Sequence, residues 1–328
     1  MLSRALLLAV AALVAAFLAC VLGAAAQSYP TRPVTIIVPY AAGGTTDVIA
    51  RELGRRLEQR LGQPFIVEYK PGAASAIGAG YVARATPDGY TILLGTSTTM
   101  AINVSIYKNL SYDPTRDLVP IALVAGVPFM LVVNPALPIR TIPDFVNVAR
   151  SNARGLTYAS NGAGGAAHLF AELLKGTLGI GLTHVPYKGL APALNDIVGG
   201  HVDTMFTDFA TALPLVRDGK LRAIGVSTAA RVGPAPDIPA LAQVGLPGFD
   251  ASSWQMMIAP AKTPRPIVDR LNSELNAIMS DPATQRAFAD RGHVPLTGGS
   301  SEQLARFVKS EIARWGEVVT RAGAAGIE

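Results

Sequence analysis

Pro39-Tyr-Ala-Ala-Gly-Gly-Thr-Thr-Asp47 and Ser160-Asn-Gly-Ala-Gly-Gly-Ala-Ala-His168 share one chemical design. Glycines let a ligand approach the backbone, and hydroxyl or amide side chains stand beside them. Each stretch follows an apolar run and leads into a helical pattern. The free N–H groups and positive dipole end of a helix N-terminus make such a turn an anion site. The candidates in the first turn are Tyr40, Ala42, Gly43, Gly44, Thr45 and Asp47; Asp47 also suits a helix N-cap. Those in the second are Ser160, Asn161, Gly162, Gly164 and Gly165. Facing one another, the two turns would grip an anion from both sides. A third turn, Gly95-Thr-Ser-Thr-Thr99, offers Ser97. Tyr187, at the end of another apolar run, is either core or a pocket wall, and Lys188 beside it could attract an anion or stay solvated. Asp208 could receive a ligand's amine or hydroxyl, or cap the helix that follows.

Other chemistries fit less well. Neither glycine turn is G-x-x-x-x-G-K-[ST], and neither is G-x-G-x-x-G with a ribose-binding acid about 20 residues on. No G-x-S-x-G elbow occurs, since Gly95-Thr-Ser97-Thr-Thr99 lacks the last glycine. The four histidines, His168, His184, His201 and His293, have no H-E-x-x-H spacing. His168 and Glu172 can touch along one helix face, which makes a structural pair rather than a zinc site. No cofactor is expected. Net charge is +5 without any Lys/Arg run, so the surface is mildly basic and not a nucleic-acid footprint.

The N-terminus carries a targeting pattern. Met1-Leu-Ser-Arg4 is followed by an apolar stretch over 5–23 and by Ala24-Ala25-Ala26. This is the pattern of a secretory signal peptide over 1–26; a membrane anchor and a lipid attached at Cys20 are the alternatives. Cys20 is the only cysteine. The mature chain then has no disulfide and must be held by its core, as suits a bacterial periplasmic protein.

Elements of alternating type must position these turns. Strand patterns over 34–38, 65–69 and 90–94 alternate with helical ones over 47–61 and 77–85. A long β-rich stretch over 121–133, broken at Gly126 and Pro128, opens a second block. It continues as helix 143–151, strand 156–160, helix 166–178, strand 182–187, helix 191–198, strand 203–207, helix 210–217 and strand 221–227. A late strand over 254–259 and helices over 266–279 and 301–322 close the chain. In the last helix Leu304, Val308, Ile312, Trp315 and Val319 share one face. Such alternation implies an α/β fold of right-handed βαβ units and mostly parallel sheets flanked by helices. With crossings near 120–130 and 221–250, the expected lobes are 28–125 with 226–328, and 126–225. Trp254 is expected to pack between them.

Ordered motifs then resemble one family. They are Tyr29-Pro-Thr-Arg-Pro-Val34, Val38-Pro-Tyr-Ala-Ala-Gly-Gly-Thr-Thr-Asp47, Lys70-Pro-Gly72 with Ile77-Gly78, and Pro87-Asp-Gly-Tyr-Thr91. His184-Val-Pro-Tyr-Lys-Gly189, Gly199-Gly-His-Val-Asp203, Gly219-Lys-Leu-Arg-Ala223, Pro236-Asp-Ile-Pro239 and Gly245-Leu-Pro-Gly248 continue the series. Over 29–325 the chain resembles the substrate-binding proteins of tripartite tricarboxylate transporters, the Bug receptors. The resemblance implies a type II-like, Venus-flytrap periplasmic binding protein. Such a receptor hands a small carboxylic acid to membrane transporter subunits and acts as a monomer, without catalysis or nucleic acid. It implies carboxylate binding by Tyr40 to Asp47 and Ser160 to Gly165, often through water, with Ser97, Tyr187 and Asp208 lining the rest of the cleft. The chain departs from the family pattern at Thr207-Asp208, Thr211-Ala212 and His168-Leu-Phe-Ala-Glu172, along the second lobe's wall. A ligand sensor for a membrane kinase and an exported hydrolase using Ser97 or Thr45 are the other readings.

Overall fold

A computed structural model describes residues 29–152, 155–321 and 323–326; the signal-peptide pattern and Cys20 lie outside the described residues. Val34–Val38 (β1), a five-residue β-branched run, is a central strand with almost every side chain buried. Phe65–Tyr69 (β2) and Thr91–Thr96 (β3) pair with it in parallel. Between them run Thr45–Leu61 (α1) and Ala76–Ala83 (α2). Ile49, Leu53 and Leu57, spaced by four, form the buried stripe of α1, which stops at Gly62 in the left-handed conformation.

After β3 the chain makes a π-helical turn, Thr98–Ile102, which runs on into Asn103–Ile106 (α3). Leu118–Val133 (β4) follows as one unbroken strand. The breaks expected at Gly126 and Pro128 are absent; the register instead shifts at Pro120/Ala122 and Leu123/Ala125. Pro128 marks a change of partner. Up to it, β4 pairs antiparallel with Ser252–Pro260 (β9). From Phe129 on it pairs with Thr204–Asp208 (β7) and, from Met130, with Arg222–Val226 (β8).

The second half of the sheet adds Leu156–Ser160 (β5) and Leu182–Pro186 (β6), parallel to one another, with β5 also parallel to β7. Its helices are Ile142–Ser151 (α4), Ala166–Leu178 (α5), Leu190–Val198 (α6) and Phe209–Arg217 (α7). The strand order is β2-β1-β3-β9-β4-β7-β5-β6. The two-lobed α/β architecture is as expected, and so is parallel pairing at the outer strands. The crossing strands β4 and β9, however, are antiparallel to their neighbours, so the sheet is mixed. Residue periodicity identifies a strand without giving its direction.

Arg265–Ser280 (α8) and Ser301–Arg321 (α10) both pack back on β4. Pro282–Ala289 (α9) and Val294–Pro295 (β10) lie between them. Trp254 packs under α10 rather than between the lobes: its ring lies 5.2 Å from that of Phe307, and its Nε1 donates to Glu311 at 2.7 Å. Trp315, also donating to Glu311, stacks 5.8 Å from Phe170 of α5 and so joins the lobes from behind. Among the described residues no helix is long and apolar enough to cross a membrane.

Candidate functional site

The carboxyl ends of β1, β3, β5, β6 and β7 open on one cleft between the lobes, the position at which parallel α/β sheets place ligands. The first lobe contributes Tyr40, Ala42, Gly44, Thr45 and Asp47, with Thr96 and Thr98 from the end of β3 and the π-helical turn. The second contributes Asn161, Ala166, the segment Gly189-Leu-Ala-Pro192 and Asp208. Val127, Phe129, Ser253 and Gln255 of the crossing strands form the back wall. The cleft has a free volume of about 60 Å³.

Helix N-termini dominate this lining. Helices α1, α5, α6 and α7 begin at the cleft with Gly44, Gly165, Gly189 and Asp208 as N-caps, and none of these side chains caps its helix. Away from the cleft, Thr141 and Asp281 do cap α4 and α9. An uncapped start leaves first-turn N–H donors free for another partner. Gly44 needs no unusual backbone, with φ −87°, and a Cβ there would point into open space. A side chain at Gly44 would therefore occupy ligand room.

Several side chains hold the turns rather than face the cleft. Helix α1 begins two residues before the expected start, so Asp47 sits in its first turn and not at the N-cap. Asp47 borders the cleft, yet its carboxylate accepts the Gly43 N–H at 2.9 Å, Tyr69 Oη at 2.8 Å and Arg51 Nε at 2.8 Å. Burial alone would raise its pKa, but the Gly43, Tyr69 and Arg51 bonds hold it below the usual carboxylate range. Gly43, at φ +89°, supplies the left-handed bend of this turn.

In the second turn Ser160 is fully buried. Its hydroxyl donates to the Gly162 carbonyl at 3.0 Å and lies 2.7 Å from His184 Nε2. His168 Nδ1 accepts the Gly164 N–H at 3.0 Å, and the two imidazoles stack at 4.2 Å. Burial pushes both histidines down, His184 to about 4 with neighbouring His168 adding to the effect, so both rings are neutral near pH 7. A Cβ at Gly164 would strike Ile106 of the first lobe, and one at Gly165 would strike the Asn161 amide. Gly162, at φ +124°, needs its backbone freedom.

Ser97 is buried behind the wall, 2.8 Å from the Ser253 hydroxyl. Tyr187 lies outside the lining: its hydroxyl donates to Asp196 at 2.5 Å and its N–H to the Ser160 carbonyl at 3.0 Å. Tyr40 Oη lies 2.9 Å from Thr96 Oγ1, and burial raises its pKa. Asp208, 7% exposed, lines the cleft; burial, opposed by the Thr45 hydroxyl, pushes its carboxyl up to about 6. Of the sequence candidates, Tyr40, Ala42, Gly44, Thr45, Asp47, Asn161 and Asp208 therefore meet at the cleft. Thr96 and Thr98 belong to the third glycine turn, where Ser97 alone was the candidate; Gln255 and the 189–192 segment were not named as site residues. The last of these was legible as another strand-to-helix turn with Gly189 at its head.

Contacts across the cleft close it. Thr45 Oγ1 lies 3.3 Å from Thr211 Oγ1, and a Cβ at Gly189 would touch Ala41 at 3.6 Å. Among the described residues no group of three His, Cys, Asp or Glu side chains gathers as metal ligands.

Residues 49–324 match the model of the tripartite tricarboxylate transporter family receptor. The chain is 36% identical to Protein BugT of Bordetella pertussis over 300 residues, covering 91% of this chain and 92% of that one. An R. palustris protein, Rpa4515, solved with adipate superposes with a TM-score of 0.88 at 37% identity, over 91% of this chain and all of that one. The periplasmic binding protein BugD gives 0.86 at 38% identity, over 91% and 100%. MatC of Rhodopseudomonas palustris with bound malate gives 0.84 at 33%, over 89% and 100%.

Proposed function

The chain belongs to the tripartite tricarboxylate transporter receptor family, and from that premise we propose that it captures a small carboxylic acid between its lobes. It then delivers the acid to the membrane subunits of a tripartite transporter. In this reading the protein works in the periplasm as a monomer, exported by the segment 1–26. Its lobes are residues 28–125 with 226–328, and residues 126–225.

The observation that carries the reading is the convergence of four uncapped helix N-termini on one closed cleft. Their N–H groups and dipoles replace the water that a carboxylate loses on entering. Gly44, Thr45, Asn161 and Asp208 touch the ligand in this account, with Tyr40 and Ala42 beside them. Gly43, Asp47, Ser97, Ser160, Gly162, Gly164, Gly165 and Tyr187 shape the turns that present them. Two solved relatives hold adipate and malate, both carboxylic acids, which supports the ligand class.

The test is a thermal-shift screen with mono-, di- and tricarboxylates, aromatic acids and amino acids, followed by calorimetry. At least one acid is expected to raise Tm through preferential binding to the folded state. A chain that no acid stabilises would overturn the receptor reading. For delivery, the acid-loaded protein is expected to capture transporter subunits from membranes of its own host; capture of a kinase in their place would redirect the assignment.

A further inference from the structure

The cleft lacks positive side chains and presents several oxygen acceptors. None of the described residues lining it is Lys, Arg or His. Its two carboxyls differ in what they touch. Asp47 is occupied by the Gly43 N–H, Arg51 and Tyr69. Asp208 is more than nine-tenths buried; the Thr45 hydroxyl favours its charged form, and no charged group among the described residues is paired with it. Although it occupies the N-cap position of α7, its side chain does not cap that helix. A structural reason for an acid at this position is therefore missing.

A second observation points the same way. Gln255, 3% exposed on the back wall, has an amide oxygen without a partner, and the Asn161 amide on the opposite lobe has another. A ligand that brought only carboxylates would press negative charge against Asp208 in a dry cleft, where two like charges resist joint ionisation. A ligand carrying its own cation removes that conflict and offers N–H donors to the free amide oxygens.

We propose, building on the receptor reading above, that this cleft selects acids bearing an ammonium group, the class of the amino acids. Asp208 receives the ammonium while the helix N-termini hold the carboxylate. Asp208 is thus a specificity-determining residue, and Gln255 and Asn161 complete the ammonium's shell.

The test compares acids of one skeleton that differ only at the second carbon: propionate, lactate and alanine, then succinate, malate and aspartate. Affinities are measured by calorimetry on the wild type and on Asp208→Asn, with Asp208→Ser as a second variant should the first fail to fold. The wild type is expected to bind the amino member of at least one set roughly ten- to hundredfold more tightly than the unsubstituted acid. Asp208→Asn is expected to bring the two within about threefold. A wild type that prefers the unsubstituted or hydroxy acid overturns the proposal, as does a variant that keeps the amino preference. A wild type that binds none of the six but binds a nitrogen-free acid in the screen overturns this proposal and leaves the receptor reading intact. Binding of no acid at all overturns both.

Discussion

Asp47 and Asp208 border the same cleft, and their surroundings drive them in opposite directions. The donors around Asp47 favour its charged form, so the stability it contributes is present above the ordinary carboxylate range and lost as pH falls through it. Asp47→Asn is expected to cost about 1–3 kcal/mol at pH 7. The gap in Tm from the wild type should narrow between about pH 5 and pH 3; a gap that does not vary with pH would count against the assignment. Asp208, pushed up to about 6, gains a proton as pH drops below neutral. Tyr40 and Asp47 are the other titratable groups among the described lining residues. Affinity for an ammonium-bearing acid should then fall by up to about tenfold per pH unit below that value, with a flat profile in Asp208→Asn. Gly44→Val places a branched side chain in open cleft space on ordinary backbone. We expect at least about tenfold weaker acid binding by calorimetry with little change in Tm, and undiminished affinity would remove Gly44 from the site.

At the scale of elements, two crossing segments are joined by one buried side chain. Ser227, fully buried after β8, accepts the Phe129 N–H at 3.1 Å and donates to the Ala251 carbonyl. Its own N–H reaches the Phe129 carbonyl at 2.8 Å, and Ala251 N–H reaches the Ser227 carbonyl at 2.8 Å. One side chain thus ties the point where β4 changes partners to the segment that leads into β9. Ser227→Ala leaves a buried N–H and a carbonyl without that partner, at a cost of about 1–3 kcal/mol. Urea unfolding measures it; an unchanged midpoint would show that this join does not depend on the hydroxyl.

For the molecule as a whole, closure couples the lobes through contacts made only when they meet. Gly164 lies over Ile106, Gly189 over Ala41, and Thr45 beside Thr211. These contacts are few beside the ordering that closure requires, so ligand must supply the difference and the open form should prevail without it. Small-angle scattering should therefore show a smaller radius of gyration once a binding acid saturates the protein. Calorimetric binding with no compaction would show that the lobes are already closed when empty.

The sequence by itself determined the alternation of strands and helices, the glycine turns after β1 and β5, and the family. Apolar periodicity and the composition of strand-to-helix turns are local properties, and they survive in a linear reading. It misplaced the start of α1 because that helix is uncapped: Gly44 carries no capping side chain, and Asp47 three residues on looked like one. Tertiary structure alone decided which polar groups reach the cleft. Ser97, Ser160 and Tyr187 have suitable chemistry, but their hydroxyls are engaged by Ser253, His184 and Asp196. Gln255, an unremarkable strand residue, becomes part of the wall because β9 crosses between the lobes beside β4. Strand direction and the pairing of groups distant along the chain depend on how the sheet closes, and that is settled only when burial and hydrogen bonding are satisfied across the whole fold.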